Sequence, residues 1–220
     1  MNNRIELKAT LRSTDIDILE NWIISKTTLS SFFPARRINN IYFETHSYDS
    51  VVDNIDGISN RTKVRYRWYG ESNSNISDGT MEFKRKKNNE GWKNQYNVSL
   101  QSGKKERYTD IVRDIMLSIP IDKQLEFSSH SLPFILNNYY REYYCTVDNK
   151  IRVTIDRSIR AFDQRWSSYV SRKKKIPLPD IVIVEFKLDP NDKPLLNSLI
   201  KDFPFRISKH SKYVTSVFHN

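Results

Sequence analysis

The chain has a single cysteine, Cys145, so no internal disulfide can staple it and no second thiolate completes a CxxC metal site. A reducing, cytoplasmic setting is therefore expected. Its four histidines, His46, His130, His210 and His219, do not fall at zinc-ligand spacings. Only five glycines and eight prolines are present, with no Gly/Ser linker, Pro-rich tract or internal repeat to divide the sequence, which reads as one continuous domain over 1–220. Long apolar runs are also missing. The longest aliphatic stretch is Ile181 to Val184, far short of the ~20 residues that cross a bilayer, and the opening MNNRIELKAT has no apolar signal core.

Apolar residues make up 38% of the chain, under the usual ~45%, and the mean hydropathy is −0.66. Even so, Leu, Ile, Val and Phe supply 60 of the 220 residues, enough to exclude a disordered chain. The core is thin, or part of the interior is polar. Acidic residues are outnumbered, 26 against 36 Lys and Arg, for a net charge of +10. That field attracts polyanions: nucleic acid, phosphorylated metabolites or anionic lipid.

Period-2 alternation between turn signals predicts strands at 4–12, 36–45, 61–70, 80–87, 93–101, 138–146, 150–157, 181–188 and 206–217, with a hairpin turn at Asp148-Asn149. Helices are predicted at 14–25, capped by Ser13 or Thr14, at 48–55, at 105–118 and at 191–201, capped by Asn191. Helices do not alternate one-for-one with strands, which argues against a doubly wound parallel sheet.

Side chains at i, i+2 and i+4 of a strand share a face. The first strand sets Arg4, Glu6, Lys8, Thr10 and Arg12 against Ile5, Leu7, Ala9 and Leu11. The same division recurs with Arg61, Lys63, Arg65 and Arg67 against Val64, Tyr66 and Trp68, with Glu82, Lys84 and Lys86 against Met81 and Phe83, and with Arg152, Thr154 and Asp156 against Ile151, Val153 and Ile155. Glu185 and Lys187 repeat it in part. A solvated face of an antiparallel sheet explains any one of these strands. Five cation-rich faces with singly placed carboxylates instead predict an α+β fold, a closed antiparallel β-barrel whose charged lumen forms a tunnel, with accessory helices outside. Cations so confined repel one another unless anions fill the space.

Lys and Arg with a few carboxylates suit phosphoryl transfer, which needs neutralised phosphate oxygens, in-line alignment and a divalent cation. Arg65, Arg67, Arg141 and Arg152 can bind phosphate bidentately, and Lys8, Lys84 and Lys212 act as point charges. Glu6, Glu82 and Glu185 are the candidate metal ligands, through hard oxygens suited to Mg²⁺ or Mn²⁺.

Arg4-Ile-Glu-Leu-Lys8, Asn40-Ile-Tyr-Phe-Glu-Thr45, Lys63-Val-Arg-Tyr-Arg-Trp-Tyr-Gly70, Met81-Glu-Phe-Lys-Arg-Lys86, Tyr140-Arg141, Arg152-Val-Thr-Ile-Asp156, Val184-Glu-Phe-Lys187 and Ser211-Lys-Tyr213 follow one another in an order and spacing that resembles the VTC-type polyphosphate polymerase domain, across essentially the whole chain. That family belongs to the triphosphate tunnel metalloenzymes. The resemblance implies that Lys8, Arg65, Arg67, Lys84, Arg141 and Arg152 bind the triphosphate and the growing chain, that Glu185 holds the metal, and that Lys209 and Lys212 sit near the tunnel's end. Lys86, Lys187 and Lys209 are expected to contact the nucleotide. The implied reaction moves the γ-phosphate of ATP to the end of a polyphosphate chain and releases ADP, with Mn²⁺ or Mg²⁺. Hydrolysis of tripolyphosphate or nucleoside triphosphates on the same scaffold is the alternative, followed by a non-catalytic polyanion-binding module.

Three departures stand out. Arg4 occupies the first acidic position of the wider superfamily's ExExK strand, which counts against hydrolysis. Glu44 replaces an expected Asp, and Val-Thr-Ser follows Tyr213 without a glycine. No regulatory module or membrane segment accompanies the domain, so export or regulation would fall to a separate membrane protein. Tyr139-Tyr-Arg-Glu-Tyr-Tyr144 reads as strand packing around Arg141 rather than a base-stacking track, and no nucleic acid partner is expected. The run Arg172 to Lys175 reads as a solvated loop.

Overall fold

The computed structural model describes residues 5–26, 28–71, 76, 78–87, 90–101 and 106–220. The described residues form ten strands: β1 (Ile5–Arg12), β2 (Leu29–Glu44), β3 (Arg61–Tyr69), β4 (Gly79–Lys87), β5 (Glu90–Val98), β6 (Leu132–Thr146), β7 (Arg152–Asp163), β8 (Lys175–Ile176), β9 (Ile181–Leu188) and β10 (Ile207–Ser208). Six α-helices accompany them: α1 (Ile16–Ser25), α2 (Asp49–Ile55), α3 (Tyr108–Ser118), α4 (Ile121–Ser129), α5 (Lys193–Leu199) and α6 (Lys212–Phe218). Arg4, the first residue of the predicted 4–12 strand, and residue 105, the predicted start of a helix, lie outside the described residues.

The strands pair in the order β10-β1-β9-β7-β6-β2-β3-β4-β5, with β8 added to β7. This corrects the predicted closed barrel. The path has two ends, and among the described residues β10 and β5 do not pair. Alternating faces specify a half-buried sheet equally well whether or not its ends meet, so periodicity could not tell the two apart.

The chain divides into two compact units. The first comprises residues 1–36, 139–159 and 179–211. Here β1 pairs with β9 from Ile5↔Leu188 to Arg12↔Ile181, and β9 pairs with β7 from Arg152↔Lys187 to Asp156↔Ile183. Leu11, Val182, Val184, Phe186, Val153 and Ile155 form a common buried face, covered by Leu19, Trp22 and Ile23 of α1 and by Leu196 and Leu199 of α5. Trp22, Phe186 and Phe203 meet edge to face with centroids 4.9–6.2 Å apart, the geometry favoured by ring quadrupoles. The Asp148-Asn149 turn forms as expected: Asn149 takes φ 58°, and the Asp148 carboxylate accepts bonds from the Thr146 hydroxyl and the Lys150 amide.

The second unit comprises 37–138, 160–178 and 212–220. Its β3, β4 and β5 pair antiparallel, with β2 joining β3 from Ile38↔Tyr69 to Phe43↔Val64. Ile41, Phe43, Val64, Tyr66, Trp68, Met81 and Phe83 form the core face, against which α3 packs Tyr108, Ile111 and Ile115 and α4 packs Phe127.

Several local expectations are corrected. The predicted strand 206–217 is only the two-residue β10, which pairs with Lys8 and Ala9, followed by α6. Tyr213, Val214 and Val217 lie at i, i+1 and i+4, a helical spacing that also passes for alternation in so short a segment. Helix α4 went unpredicted because its apolar residues do not mark one face: Ile121 and Leu125 are exposed and only Phe127 is buried. Strands β2 and β6 begin earlier than predicted, carrying Pro34 and Pro133 that normally demote a strand. Asn191 caps nothing with its side chain; Asp189 accepts the Asn191 amide at 3.0 Å, opening a short 3₁₀ turn before α5.

At Gly79, the first residue of β4, a Cβ would collide with the Arg67 carbonyl oxygen, a backbone atom that cannot step aside. At Gly91 the nearest such atom is 3.6 Å away. Gly79→Ala is therefore expected to lower stability by about 1–3 kcal/mol in urea unfolding while Gly91→Ala changes little; equal effects would contradict this account.

Candidate functional site

In the second unit, cross-strand register builds one polar face row by row. Asn40 lies beside Arg67 and Thr80, Tyr42 beside Arg65, Glu82 and Gln95, and Lys63 beside Lys84 and Lys93. Glu82, only 1% exposed, organises it. Its carboxylate accepts from Arg65 Nε at 2.6 Å and Nη2 at 2.5 Å and from Gln95 Nε2 at 2.6 Å, with Arg67 Nη1 at 3.8 Å and Lys93 Nζ at 4.0 Å. Burial by itself raises a carboxyl's pKa, but Arg65 and Arg67 outweigh it and hold Glu82 at about 2. The guanidiniums are thus aimed by a permanent anion.

Neutral groups aim them further. Arg65 Nη1 donates to the Tyr42 hydroxyl at 3.1 Å, and Arg67 Nε donates to Asn40 Oδ1 at 2.8 Å. Asn40 in turn donates from Nδ2 to Asn137 Oδ1 at 2.9 Å, which sets the sense of its amide. Tyr42 stacks on Tyr213 of α6 at 4.6 Å, and Lys63 lies over the Tyr213 ring at 5.7 Å. The Tyr213 hydroxyl donates to Glu44, which also accepts the Ser50 and Thr45 amides at 3.2 and 3.3 Å. Burial raises the Glu44 carboxyl, and these donors offset that only in part; burial and then Glu44 push the Tyr213 phenol far above its ordinary range, so it remains a donor. Glu44 is thereby a structural anchor for α6.

The first unit builds a second polar face. Rows run Glu6–Lys187–Arg152 and Lys8–Glu185–Thr154 across β1, β9 and β7. Arg141 of β6 forms a buried fork with Asp156, Nε–Oδ1 2.5 Å and Nη2–Oδ2 2.7 Å, and its Nη2 lies 4.0 Å from Glu185. Lys8 and Lys187 approach Glu185 at 3.6 and 3.2 Å, and Lys8 also reaches the His210 carbonyl at 3.3 Å. Burial opposes the Arg141 charge, but Tyr139, Asp156 and Glu185 outweigh it and keep the guanidinium protonated.

The expected site residues are therefore placed as follows. Lys8, Arg141, Glu185 and Lys187 meet in the first unit, with Glu6 and Arg152 exposed in the adjoining row. Arg65, Arg67 and Glu82 meet in the second, with Lys84 and Lys86 further along β4. Lys209 follows β10 and Lys212 opens α6. Asn40, Tyr42, Gln95, Asp156 and Tyr213 were not among the expected site residues, although all but Gln95 lie in the motifs or charged faces read from the sequence. Asn40 and Tyr42 alternate with Ile41 and Phe43, so their strand face was readable; their bonds to Arg65 and Arg67 were not. Cys145 is buried and serves packing.

Among the described residues no three His, Cys, Asp or Glu side chains gather as a metal cage. The Glu82 oxygens are taken up by Arg65 and Gln95, and both Asp156 oxygens by Arg141. Glu185, with Lys187, Lys8 and Arg141 at 3.2, 3.6 and 4.0 Å, would offer a divalent cation a single protein carboxylate, the rest of its shell being left to phosphate and water oxygens.

This fold has known counterparts. A putative adenylyl cyclase from Hippeastrum, described as having a dominant triphosphatase activity, superposes with a TM-score of 0.58 at 13% identity over 97% of this chain and 96% of that one. Putative adenylate cyclases from Vibrio parahaemolyticus and Bacillus halodurans superpose with TM-scores of 0.54 at 11% identity, covering 98% and 96% of this chain and the same shares of theirs. No curated protein sequence matches. The VTC domain model matches residues 3–219, and the chain belongs to the VTC domain family. No helix among the described residues is long and apolar enough to cross a membrane.

Because the folded-state pKa of Glu82 is depressed, its stabilisation is fully present above the ordinary value of 4.5 and is lost as pH falls toward about 2. That contribution is of order 3 kcal/mol at neutral pH. Urea unfolding between about pH 6 and 2 should show Glu82→Gln less stable at neutral pH with a flatter acid limb; parallel curves for variant and wild type would contradict the assignment.

Proposed function

We propose that this chain is a phosphotransferase that extends polyphosphate with the γ-phosphate of ATP and releases ADP. The observation that carries the reading is the pair of cation-rich strand faces whose arginines are aimed by buried carboxylates, Arg65 by Glu82 and Arg141 by Asp156. Membership of the VTC family supports polyphosphate as the acceptor.

The chemistry asks little covalent work of the protein. A terminal oxygen of the acceptor, already ionised at neutral pH, forms the new bond to the γ-phosphorus as the bond to the β–γ bridging oxygen breaks, and the electron pair leaves with ADP. Arginines held in fixed forks and the lysines beside them neutralise phosphate oxygens without reorganising during the reaction. Glu185 would hold a divalent cation, Mn²⁺ or Mg²⁺, which supplies Lewis-acid charge to a phosphate oxygen when bound. Lys8 and Lys187 hold phosphate next to that carboxylate. Hydrolysis is the second reading, favoured by the triphosphatase activity of the Hippeastrum relative; water then replaces the phosphate acceptor.

Incubation with ATP, Mn²⁺ and a short polyphosphate primer should yield longer chains and ADP in equal amounts to the phosphates added. Orthophosphate without chain growth would replace the polymerase by the hydrolase. Glu185→Ala should abolish turnover while tripolyphosphate binding persists, since it removes a metal ligand and no cation; unimpaired turnover in that variant would remove Glu185 from the site.

A further inference from the structure

The first half of β2 carries aromatic rings that the core does not use. Phe33 is 51% exposed and Phe32 41%. They pack edge to face at 4.4 Å, and Phe33 meets the Tyr143 ring of β6 at 6.0 Å and 85°. Arg36 closes the cluster: its Nε donates to the Tyr143 hydroxyl at 3.1 Å, and its guanidinium lies over the same ring at 5.2 Å. Tyr143 is two residues from Arg141 on one strand, so the two side chains leave the same face of β6, about 7 Å apart along the chain. The exposed Phe33 ring, braced edge to face by Tyr143 and Arg36, thus forms a platform that flanks the guanidinium that sits between Asp156 and Glu185.

We propose that the exposed ring of Phe33 stacks on the nucleobase of the donor nucleoside triphosphate while Tyr143 and Arg36 brace that ring, a site that rests on the phosphotransferase reading above. A nucleoside triphosphate has an anionic tail and a flat π-face at opposite ends, and this part of the first unit presents the complementary pair, fixed cations and exposed rings. Stacking needs no base-edge hydrogen bonds and grows with ring area, so the platform selects purine over pyrimidine and nucleotide over bare polyphosphate. The bond from Arg36 to Tyr143 holds the ring in place before ligand arrives, which lowers the ordering cost of binding.

The test is calorimetric titration of the full chain with ATP, CTP and inorganic tripolyphosphate, each with the same divalent cation. Wild type should bind ATP more tightly than CTP or tripolyphosphate. Phe33→Ala and Tyr143→Leu should weaken ATP about ten-fold and shift tripolyphosphate by no more than about two-fold, with Phe33→Trp retaining ATP affinity. Equal losses for ATP and tripolyphosphate, no loss for either, or a wild type that binds ATP no tighter than tripolyphosphate would each overturn the platform while leaving the phosphate grip intact. A wild type that binds none of the three overturns the phosphotransferase reading and this proposal together.

Discussion

Carboxylates buried among guanidiniums are the constraint on which the charged faces depend. Glu82 and Asp156 are each 1% exposed, and a carboxylate buried so deeply is costly unless paired, as each of these is with an arginine. The dependence also runs the other way. Arg65 and Arg67 of β3 and Lys93 of β5 converge on Glu82 of the intervening β4, the charge that makes their convergence tolerable. A lysine could supply the same charge as Arg65, but not two donors in a fixed plane to one carboxylate with a third left for Tyr42. What results is a set of cations whose directions are set before any anion arrives, the condition under which electrostatic stabilisation of a transferring phosphate is most effective.

Around these anchors the two units use similar means. In each, one sheet face buries Val, Ile and Phe under helices and the other gathers charge, so the same backbone pairing that completes the core also fixes the spacing of the cations. The thin apolar content of the chain is consistent with this economy: strand residues on the second face are spent on Arg, Lys, Asn and Glu. The second unit adds a support that runs from Glu44 through Tyr213 and Tyr42 to Arg65. A buried carboxylate that touches no cation directly, through a short helix near the end of the chain, thus steadies one that does.

Much of this arrangement was legible residue by residue. The alternation in β1, β3, β4, β7 and β9 assigned Lys8, Arg65, Arg67, Glu82 and Glu185 to polar faces, because a pleated strand permits nothing else once its apolar residues are buried. Family membership followed from the ordered motifs. The carboxylates were less legible by role. By residue type and strand face Glu82, Glu185 and Glu6 looked alike as metal ligands, and only the resemblance set Glu185 apart; in the fold Glu82 is occupied by Arg65 and Gln95, Glu185 stands among Lys8, Lys187 and Arg141, and Glu6 is exposed in the neighbouring row.

Composition and periodicity alone decided that the chain folds, that its strands are two-sided, and that one side is rich in cations, since these follow from which residue types share a face. Tertiary pairing decided the rest. Whether the sheet closes depends on whether its first and last strands meet, and α6 in place of a strand depends on what Tyr213 finds to bond. Which carboxylate is a partner for arginine and which is left beside lysines depends on cross-strand register. Each of these is a contact between residues distant in sequence, and no local pattern encodes it.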